Sequence, residues 1–230
     1  MDGEMKALWS SAVVCVLAFA LAVYGPARAT PRVQYGNLDA DIEGSDACDV
    51  DRAYETMKQM GPLSWTAPVD LRVRGIDVRI PYRGEANALV GTYGLTRKGS
   101  DGNARYHAGT DLLADEGESV RAVADGEIVA VVTGSSAFGT YVVLRIPVIV
   151  PPALPCAVDF YYAHLNEAAV AKGDRVKAGE VLGNAGRTGY GGDGSIPTHL
   201  HIEMWLGPYD RSLDVRKQRT RDIVPLFNWF

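Results

Sequence analysis

The stretch "PTHLHIEMW", residues 197–205, decides the fold because polar and apolar side chains alternate along it. Such alternation is typical of a β-strand, in which residues i and i+2 point to the same face about 7 Å apart. Leu200 and Ile202 are predicted to face the core, whereas His199 and His201 point together at one spot. The chain has only 4 histidines, which makes this pair a candidate functional feature. Two half-exposed histidines on a polar strand face would give the same pattern.

The same alternation recurs in segments 69–82, 119–132, 139–146 and 159–165, which are separated by turns containing glycine. Short alternating strands joined by tight turns favour antiparallel neighbours. Before them, Val50, Tyr54 and Met57 recur at helical spacing until Gly61-Pro62 ends the pattern. No convincing helical periodicity follows residue 62. The sequence therefore predicts an all-β domain with a mostly antiparallel sheet and a short N-terminal helix.

Residues 1–29 are typical of a secretory signal peptide. An apolar run from Ala7 to Tyr24 is followed by the small-x-small sequence Ala27-Arg28-Ala29, which predicts cleavage before Thr30. The alternative is an uncleaved anchor, because about 18 apolar residues can just span a membrane. With cleavage, the mature protein is exported to the periplasm or the outside of the cell and has no stable membrane insertion.

The remainder divides into a polar leader with the short helix, residues 30–64, and a domain, residues 65–230. A net charge of −5 gives no electrostatic support for a nucleic-acid partner. Cys48 and Cys156 are a candidate disulfide in an exported chain, and two separate buried thiols are the alternative. The basic segment "DVRKQRTR", residues 214–221, is predicted to be a solvated terminal segment.

The other two histidines also lie in short motifs. "YHAGTDL" contains His107 and Asp111 four residues apart, and "FYYAHL" contains His164 near the end of a predicted strand. Two imidazoles and one carboxylate suit a catalytic zinc ion, which takes three protein ligands and keeps a position open for water. The two histidines left over would stand beside that position as acid/base groups, because imidazole titrates near neutral pH.

Taken in order, "HAGTD", "YAHL", "KGDRVKAGEVLGNAGRTG" and "HLHIE" resemble the lysostaphin/LytM-type zinc metallopeptidases. The resemblance runs from about residue 90 to residue 205 and implies the duplicated hybrid motif fold, an antiparallel β-sheet groove or sandwich. It also implies the division of roles within the site: the zinc ligands are His107, Asp111 and His201, and the catalytic pair is His164 and His199.

The activity implied by the resemblance is that of an exported zinc metalloendopeptidase. Its substrates would be the stem peptides or cross-bridges of bacterial cell-wall peptidoglycan. The alternative is a non-catalytic LytM-like activator module of another cell-wall hydrolase. Many relatives of that kind have lost ligands, whereas all five positions are filled here, which favours an active enzyme. The sequence leaves open which peptide bond is cut and whether a regulatory protein partner must open the groove.

Two segments depart from the family pattern and are both expected near the groove. They are the proline-rich residues 147–158 and the glycine-rich residues 190–197. Glu203 is either a carboxylate that holds a ligand imidazole or a surface residue. Three tyrosines are candidates for stabilising an oxyanion, with a core or surface role favoured for each: Tyr93, Tyr106 and Tyr162.

Overall fold

The computed structural model describes residues 49–59, 65–69, 91–98, 101–150, 154–189, 197–207, 209 and 213–227. The predicted signal peptide, the leader up to residue 48, most of the strand expected in 69–82 and residues 190–196 lie outside the described residues. Cys48 and the side chain of Cys156 also lie outside the described part of the chain, and the disulfide therefore stays a prediction. Among the described helices, none combines the length and the apolar character needed to cross a membrane.

The described part of the chain is mostly antiparallel β-sheet, which confirms the predicted fold class. A helix α1 (Val50–Gln59) comes first, and a short 3-10 helix (Val224–Leu226) comes last. The elements between them are β1 (Gly94–Lys98), β2 (Ala104–His107), β3 (Thr110–Leu113), β4 (Ser119–Arg121), β5 (Gly126–Ser135), β6 (Gly139–Val150), β7 (Leu154–Ala168), β8 (Arg175–Val176), β9 (Val181–Ala185), β10 (His199–Leu206), α2 (Leu213–Arg219) and β11 (Thr220–Arg221).

One large sheet contains the strands β3 to β11, and β1 and β2 form a separate hairpin. Strands β11, β10, β7, β6, β5 and β8 are neighbours in that order. Strand β3 pairs with the first half of β10, and β9 links β4 to β7. Strand β10 therefore has β7 on one side, and β3 and then β11 on the other.

Strand β10 separates two buried faces. Its even-numbered residues, Leu200, Ile202, Met204 and Leu206, belong to the main hydrophobic core, as the alternation predicted. On the other face, Trp205 joins a second cluster with Tyr141 and Tyr161. All eight residues of the strand are buried, and His199, His201 and Glu203 consequently lie in the interior rather than on a polar surface.

Helix α1 is the predicted N-terminal helix. The Asp49 side chain accepts a hydrogen bond from the backbone N–H of Arg52 at 3.0 Å, which caps the first turn. Ala53 and Met57 are fully buried in the main core. The hydroxyl of Tyr54 donates to the backbone carbonyl of Asp222 at 2.8 Å, which ties the helix to the C-terminal segment.

Helix α2 corrects two predictions. A helix does form after residue 62, and the basic segment 214–221 is not simply solvated. The side chain of Arg216 is half-buried and reaches Glu203 of β10, while Thr220 is fully buried. A helix of seven residues gives too little hydrophobic periodicity to be detected, and its position depends on this contact with the sheet.

The proline-rich segment 147–158 continues the β6–β7 hairpin. The ladder continues through Pro147 opposite Ala157 as far as Val150 opposite Leu154. The pairing therefore extends an ordinary hairpin rather than forming a loop over the site. From Leu154 to His164 is ten residues of strand, roughly 33 Å when extended. The expectation that this segment lies near the groove stays a prediction.

Gly109 lets β3 approach β10 closely. A β-carbon at this position would lie 2.5 Å from the backbone oxygen of Ile202 and 2.8 Å from Cε1 of His201. We predict that Gly109→Ala lowers the free energy of unfolding by about 1–3 kcal/mol, the usual effect of adding a methyl group to a filled interior. Urea unfolding of both proteins measures the change. Equal unfolding free energies would contradict the close approach.

Candidate active site

Strand pairing brings all five predicted site residues together. Asp111 on β3 lies directly opposite His201 on β10, whose other neighbour is Ala163 of β7, next to His164. His107 ends β2, immediately before the close approach at Gly109. Each of the five side chains is buried, with less than a tenth of the residue surface exposed. Residues separated by up to 94 positions therefore meet because of sheet register.

Three of the five present their ligand atoms to one point. His107, Asp111 and His201 each offer a nitrogen or a carboxylate oxygen, and these atoms lie within 4.8 Å of one another. Nε2 of His107 is 3.0 Å from Nδ1 of His201 and 3.3 Å from Oδ1 of Asp111, and these last two atoms are 2.8 Å apart. Tetrahedral zinc with bonds of about 2.0–2.1 Å separates its ligand atoms by roughly 3.3 Å. The donor set and its spacing fit a metal ion.

The hydrogen bond made by Nδ1 of His107 leaves its Nε2 facing the cluster. Nδ1 of His107 donates a hydrogen bond to the backbone carbonyl of Thr92 at 2.8 Å, and the unprotonated Nε2 is left facing the cluster. Nε2 accepts a hydrogen bond from Nη2 of Arg97 at 2.9 Å, and Arg97 also forms an ion pair with Asp111. Arg97 could not be identified from the sequence, because the polarity pattern of its hairpin does not indicate which residues an arginine there contacts.

The charges around Asp111 keep it ionised. Burial alone would raise the pKa of this carboxyl, but the electrostatic effect of the surrounding histidines and of the Arg97 guanidinium holds it well below its usual range. Burial lowers the pKa of His201, whereas hydrogen bonds to Asp111 and Glu203 raise it above the ordinary value. Asp111 can therefore act as an anionic ligand throughout the physiological pH range.

His164 and His199 stand beside the cluster, and each ring donates its Nδ1 proton to a backbone carbonyl. Nδ1 of His164 donates to the backbone carbonyl of Thr188 at 2.7 Å, and Nδ1 of His199 donates to that of Pro197 at 2.8 Å. Their ring centroids are 4.8 Å apart. Both Nε2 atoms are thereby left as proton acceptors. Burial lowers the pKa of His199, and it lowers that of His164 to about 3.

His164 has a left-handed backbone conformation, with φ of 63°. This region is uncommon for non-glycine residues, and histidine, asparagine and aspartate are enriched in it. Thr188 supports the conformation: its hydroxyl donates to the carbonyl of Leu165 at 2.6 Å and accepts from the backbone N–H of Thr140 at 2.9 Å. Strained backbone conformations that are held in place by surrounding contacts are common at functional sites.

The three tyrosines considered as oxyanion candidates have structural partners. The hydroxyl of Tyr162 accepts from the backbone N–H of Val123 at 3.1 Å within the main core, so an oxyanion role for this residue is wrong. Tyr93 donates to the backbone carbonyl of Thr220, and Tyr106 donates to Tyr93. These two link the β1–β2 region to β11.

Comparison with known proteins matches the site-bearing part of the chain to one family. The model of peptidase family M23 matches residues 105–214. These residues, a little under half of the chain, resemble an M23 peptidase domain. The resemblance expected for residues 90–205 is thus confirmed from residue 105 onward, and the match continues to residue 214. Both Arg97 and Arg216 lie outside it.

The matched region is similar to several named enzymes. It is 35% identical over 110 residues to the glycyl-glycine endopeptidase ALE-1 of Staphylococcus capitis, covering 48% of this chain and 27% of that protein. It is 35% identical over 99 residues to the DD-carboxypeptidase/endopeptidase Mpg of Neisseria meningitidis serogroup B, covering 43% of this chain and 20% of that protein. The aligned region thus spans only about a quarter of the length of these relatives.

Among solved structures, the catalytic domain of lysostaphin from Staphylococcus simulans is similar. It shares 28% sequence identity with a TM-score of 0.45, and the alignment covers 58% of this chain and 86% of that domain. The zinc-containing peptidase of Vibrio cholerae shares 26% identity with a TM-score of 0.42, over 58% of this chain and 37% of that one.

Arg97 would compete with a metal ion bound by His107, Asp111 and His201, because the single lone pair on Nε2 of His107 can face only one of them. We predict that Arg97→Ala binds Zn²⁺ about tenfold more tightly. A hydrogen bond to a charged group contributes about 1.5–3 kcal/mol, and 1.4 kcal/mol is a factor of ten. The metal-free variant should unfold more easily, since buried Asp111 loses its cation.

Competition with a chromophoric chelator gives the zinc affinity, and urea unfolding in excess chelator gives the stability. The control is Arg105→Ala, since Arg105 lies opposite Arg97 in the same hairpin and is exposed. A weaker zinc affinity in Arg97→Ala would show that Arg97 supports the metal instead of excluding it.

His164 makes the metal-free protein sensitive to acid. Its pKa of about 3 lies below the unfolded value of 6.5, and as the pH falls below about 6.5 only the unfolded chain takes up the proton. Stability then decreases by up to about 1.4 kcal/mol per pH unit until the pH nears the folded pKa. We predict that His164→Asn, which tolerates the left-handed backbone, lacks this component. Urea unfolding between pH 7 and pH 4 compares the slopes. Identical slopes would contradict the buried neutral histidine.

Proposed function

We propose that this protein is an exported zinc metalloendopeptidase that hydrolyses peptide cross-links of bacterial peptidoglycan. The observation that carries the proposal is the complete site, with three converging ligand atoms and two neutral imidazoles beside them. Peptidoglycan is proposed as the substrate because similar proteins are named glycyl-glycine endopeptidase and DD-carboxypeptidase/endopeptidase.

In this proposal, His107, Asp111 and His201 hold the zinc ion. The set has one negative charge, and the site therefore keeps a net positive charge and leaves room for a fourth partner. A zinc ion held there would supply a Lewis acid for the scissile carbonyl and would lower the pKa of a water molecule to about 7.

His164 and His199 are proposed as the catalytic pair. Each presents an unprotonated Nε2, and each holds its Nδ1 proton on a backbone carbonyl. One imidazole takes the proton of the attacking water, and the other stabilises the oxyanion or protonates the leaving amine once it carries a proton. Because both pKa values are lowered by burial, the resting pair is uncharged at neutral pH.

Export is proposed from the sequence of residues 1–29. The apolar run and the site at Ala27-Arg28-Ala29 would be removed as a signal peptide, and the substrate of the proposed enzyme lies outside the cytoplasm. The domain organisation proposed with it keeps residues 30–64 as a leader and residues 65–230 as the peptidase domain. The tightly buried Ala53 and Met57 indicate that the helix of the leader packs with that domain.

Digestion of purified peptidoglycan, with mass analysis of the released fragments, tests the function. We predict that the zinc-loaded protein releases peptide-cleaved fragments. His164→Ala and His199→Ala should keep zinc but lose at least about 10² in rate, the usual effect of removing a general acid or base. His107→Ala and Asp111→Ala should lose both the metal and the activity.

Lys177→Ala is the matched control, because Lys177 is a largely exposed residue that pairs with Asp125 at the surface. Zinc bound fully by Asp111→Ala would contradict the ligand assignment. Zinc-loaded wild type that cleaves no peptide bond, but stimulates another wall hydrolase, would favour the activator module instead.

A further inference from the structure

Glu203 is a buried carboxylate on which three donors converge. Its Oε1 accepts from Nε2 of His201 at 3.0 Å and from Nη2 of Arg216 at 2.6 Å, and its Oε2 accepts from Nε1 of Trp205 at 2.8 Å. None of its surface is exposed. His201, Glu203 and Trp205 point the same way because they alternate along β10. The surface role that the sequence left open for Glu203 is therefore wrong.

The hydrogen bond to Glu203 decides which nitrogen of His201 is available to a metal. Nδ1 of His201 faces Asp111 and Nε2 faces Glu203. A metal ion in the cluster must take the place of any proton on Nδ1, and the ring can do this while neutral only if its remaining proton is on Nε2. Glu203 provides the acceptor for that proton. Without an acceptor, the Nε2–H would be buried and unsatisfied, which favours the tautomer with its proton on Nδ1.

Arg216 keeps Glu203 in place from outside the sheet. Nη2 of Arg216 lies 2.6 Å from Oε1 of Glu203, and this ion pair holds the carboxylate beside Nε2 of His201. The guanidinium carbon of Arg216 also lies 5.3 Å from the ring centroid of Phe138, which packs 5.7 Å from the ring of His201. Both contacts hold Arg216 over the buried carboxylate.

We propose that Glu203 and Arg216 are positioning residues that keep the Nε2 proton on His201 and so direct Nδ1 to the metal. Helix α2 is then part of the metal site, although Arg216 lies beyond the residues matched by the family model. This inference rests on the proposed metal site but does not require that the protein cleaves peptidoglycan. The competing explanation is an ion pair that only anchors α2 to the sheet.

The two explanations differ in what a glutamine at position 203 does. Glu203→Gln removes the charge but keeps an oxygen that can accept from Nε2 of His201, whereas Glu203→Ala removes both. A positioning role predicts that zinc affinity falls about 10- to 100-fold in Glu203→Ala, the usual loss for a residue that orients a metal ligand, and that Glu203→Gln recovers most of it. The zinc affinity of Arg216→Ala should lie between those of Glu203→Ala and Glu203→Gln. The zinc affinity of Arg216→Lys should be closer to that of the wild type.

The experiment measures zinc affinity by competition with a chromophoric chelator in the full chain. The control is Lys217→Ala, an exposed residue on the same helix. Long-range ¹⁵N–¹H spectra of the zinc-loaded wild type report the His201 tautomer independently, with the expected proton on Nε2. The unfolding free energies of the variants show whether a substitution only releases α2 from the sheet. Equal losses of zinc affinity in Glu203→Gln and Glu203→Ala, or a proton on Nδ1, would overturn the proposal.

The outcomes for the two proposals are distinguishable. A wild-type protein that binds zinc with Nδ1 of His201 but leaves peptidoglycan intact would overturn only the peptidase function. A wild-type protein that binds no zinc would overturn both. If Glu203→Ala does not fold, the zinc affinities of Glu203→Gln and Arg216→Ala and the tautomer of the wild type still decide the question.

Discussion

Strand β10 is buried on both faces, and the polar groups that it carries can remain there only because each has a partner. An unpaired carboxylate or imidazole in the interior costs several kcal/mol, which is comparable with the total stability of a domain. The rest of the structure around the site follows from this constraint. Asp111 of β3 reaches His201 and Arg216 of helix α2 reaches Glu203, both on β10. Arg97 of the β1–β2 hairpin in turn pairs with the buried Asp111.

Three of the four imidazoles share one hydrogen-bonding arrangement, and His201 is the exception. In His107, His164 and His199, Nδ1 donates to a backbone carbonyl and Nε2 points inward. In His201 the ring is reversed, and its outer nitrogen meets the carboxylate of Glu203 instead. Backbone carbonyls belong to the sheet and its loops and therefore cannot rotate away. A side-chain carboxylate can, which explains why only the reversed ring requires a further residue, Arg216, to hold its acceptor.

The strand alternation and the five candidate site residues could be identified from the sequence because both are local signals. A period of two is visible within one strand, and the motifs around His107 and His201 are short. The arginines could not be predicted, since Arg97 and Arg216 meet their partners across 14 and 13 residues in segments whose composition is that of solvated surface. Helix α2 was missed for the same reason. Among its described side chains, Arg216 contacts the sheet through an ion pair with the buried Glu203.

The C-terminal residues beyond the family match also close the fold. Strand β11 pairs with the end of β10, Arg221 pairs with Asp51 of α1, and Tyr54 reaches the carbonyl of Asp222. A recombinant fragment trimmed at residue 214 would keep every ligand and both catalytic candidates but would uncover the main core and strip Glu203 of its cation. If such a fragment were inactive, the cause would be the disrupted fold and not the absence of site residues. The main hydrophobic core thus includes residues from α1 to the last 3-10 helix, past the limits that family similarity defines.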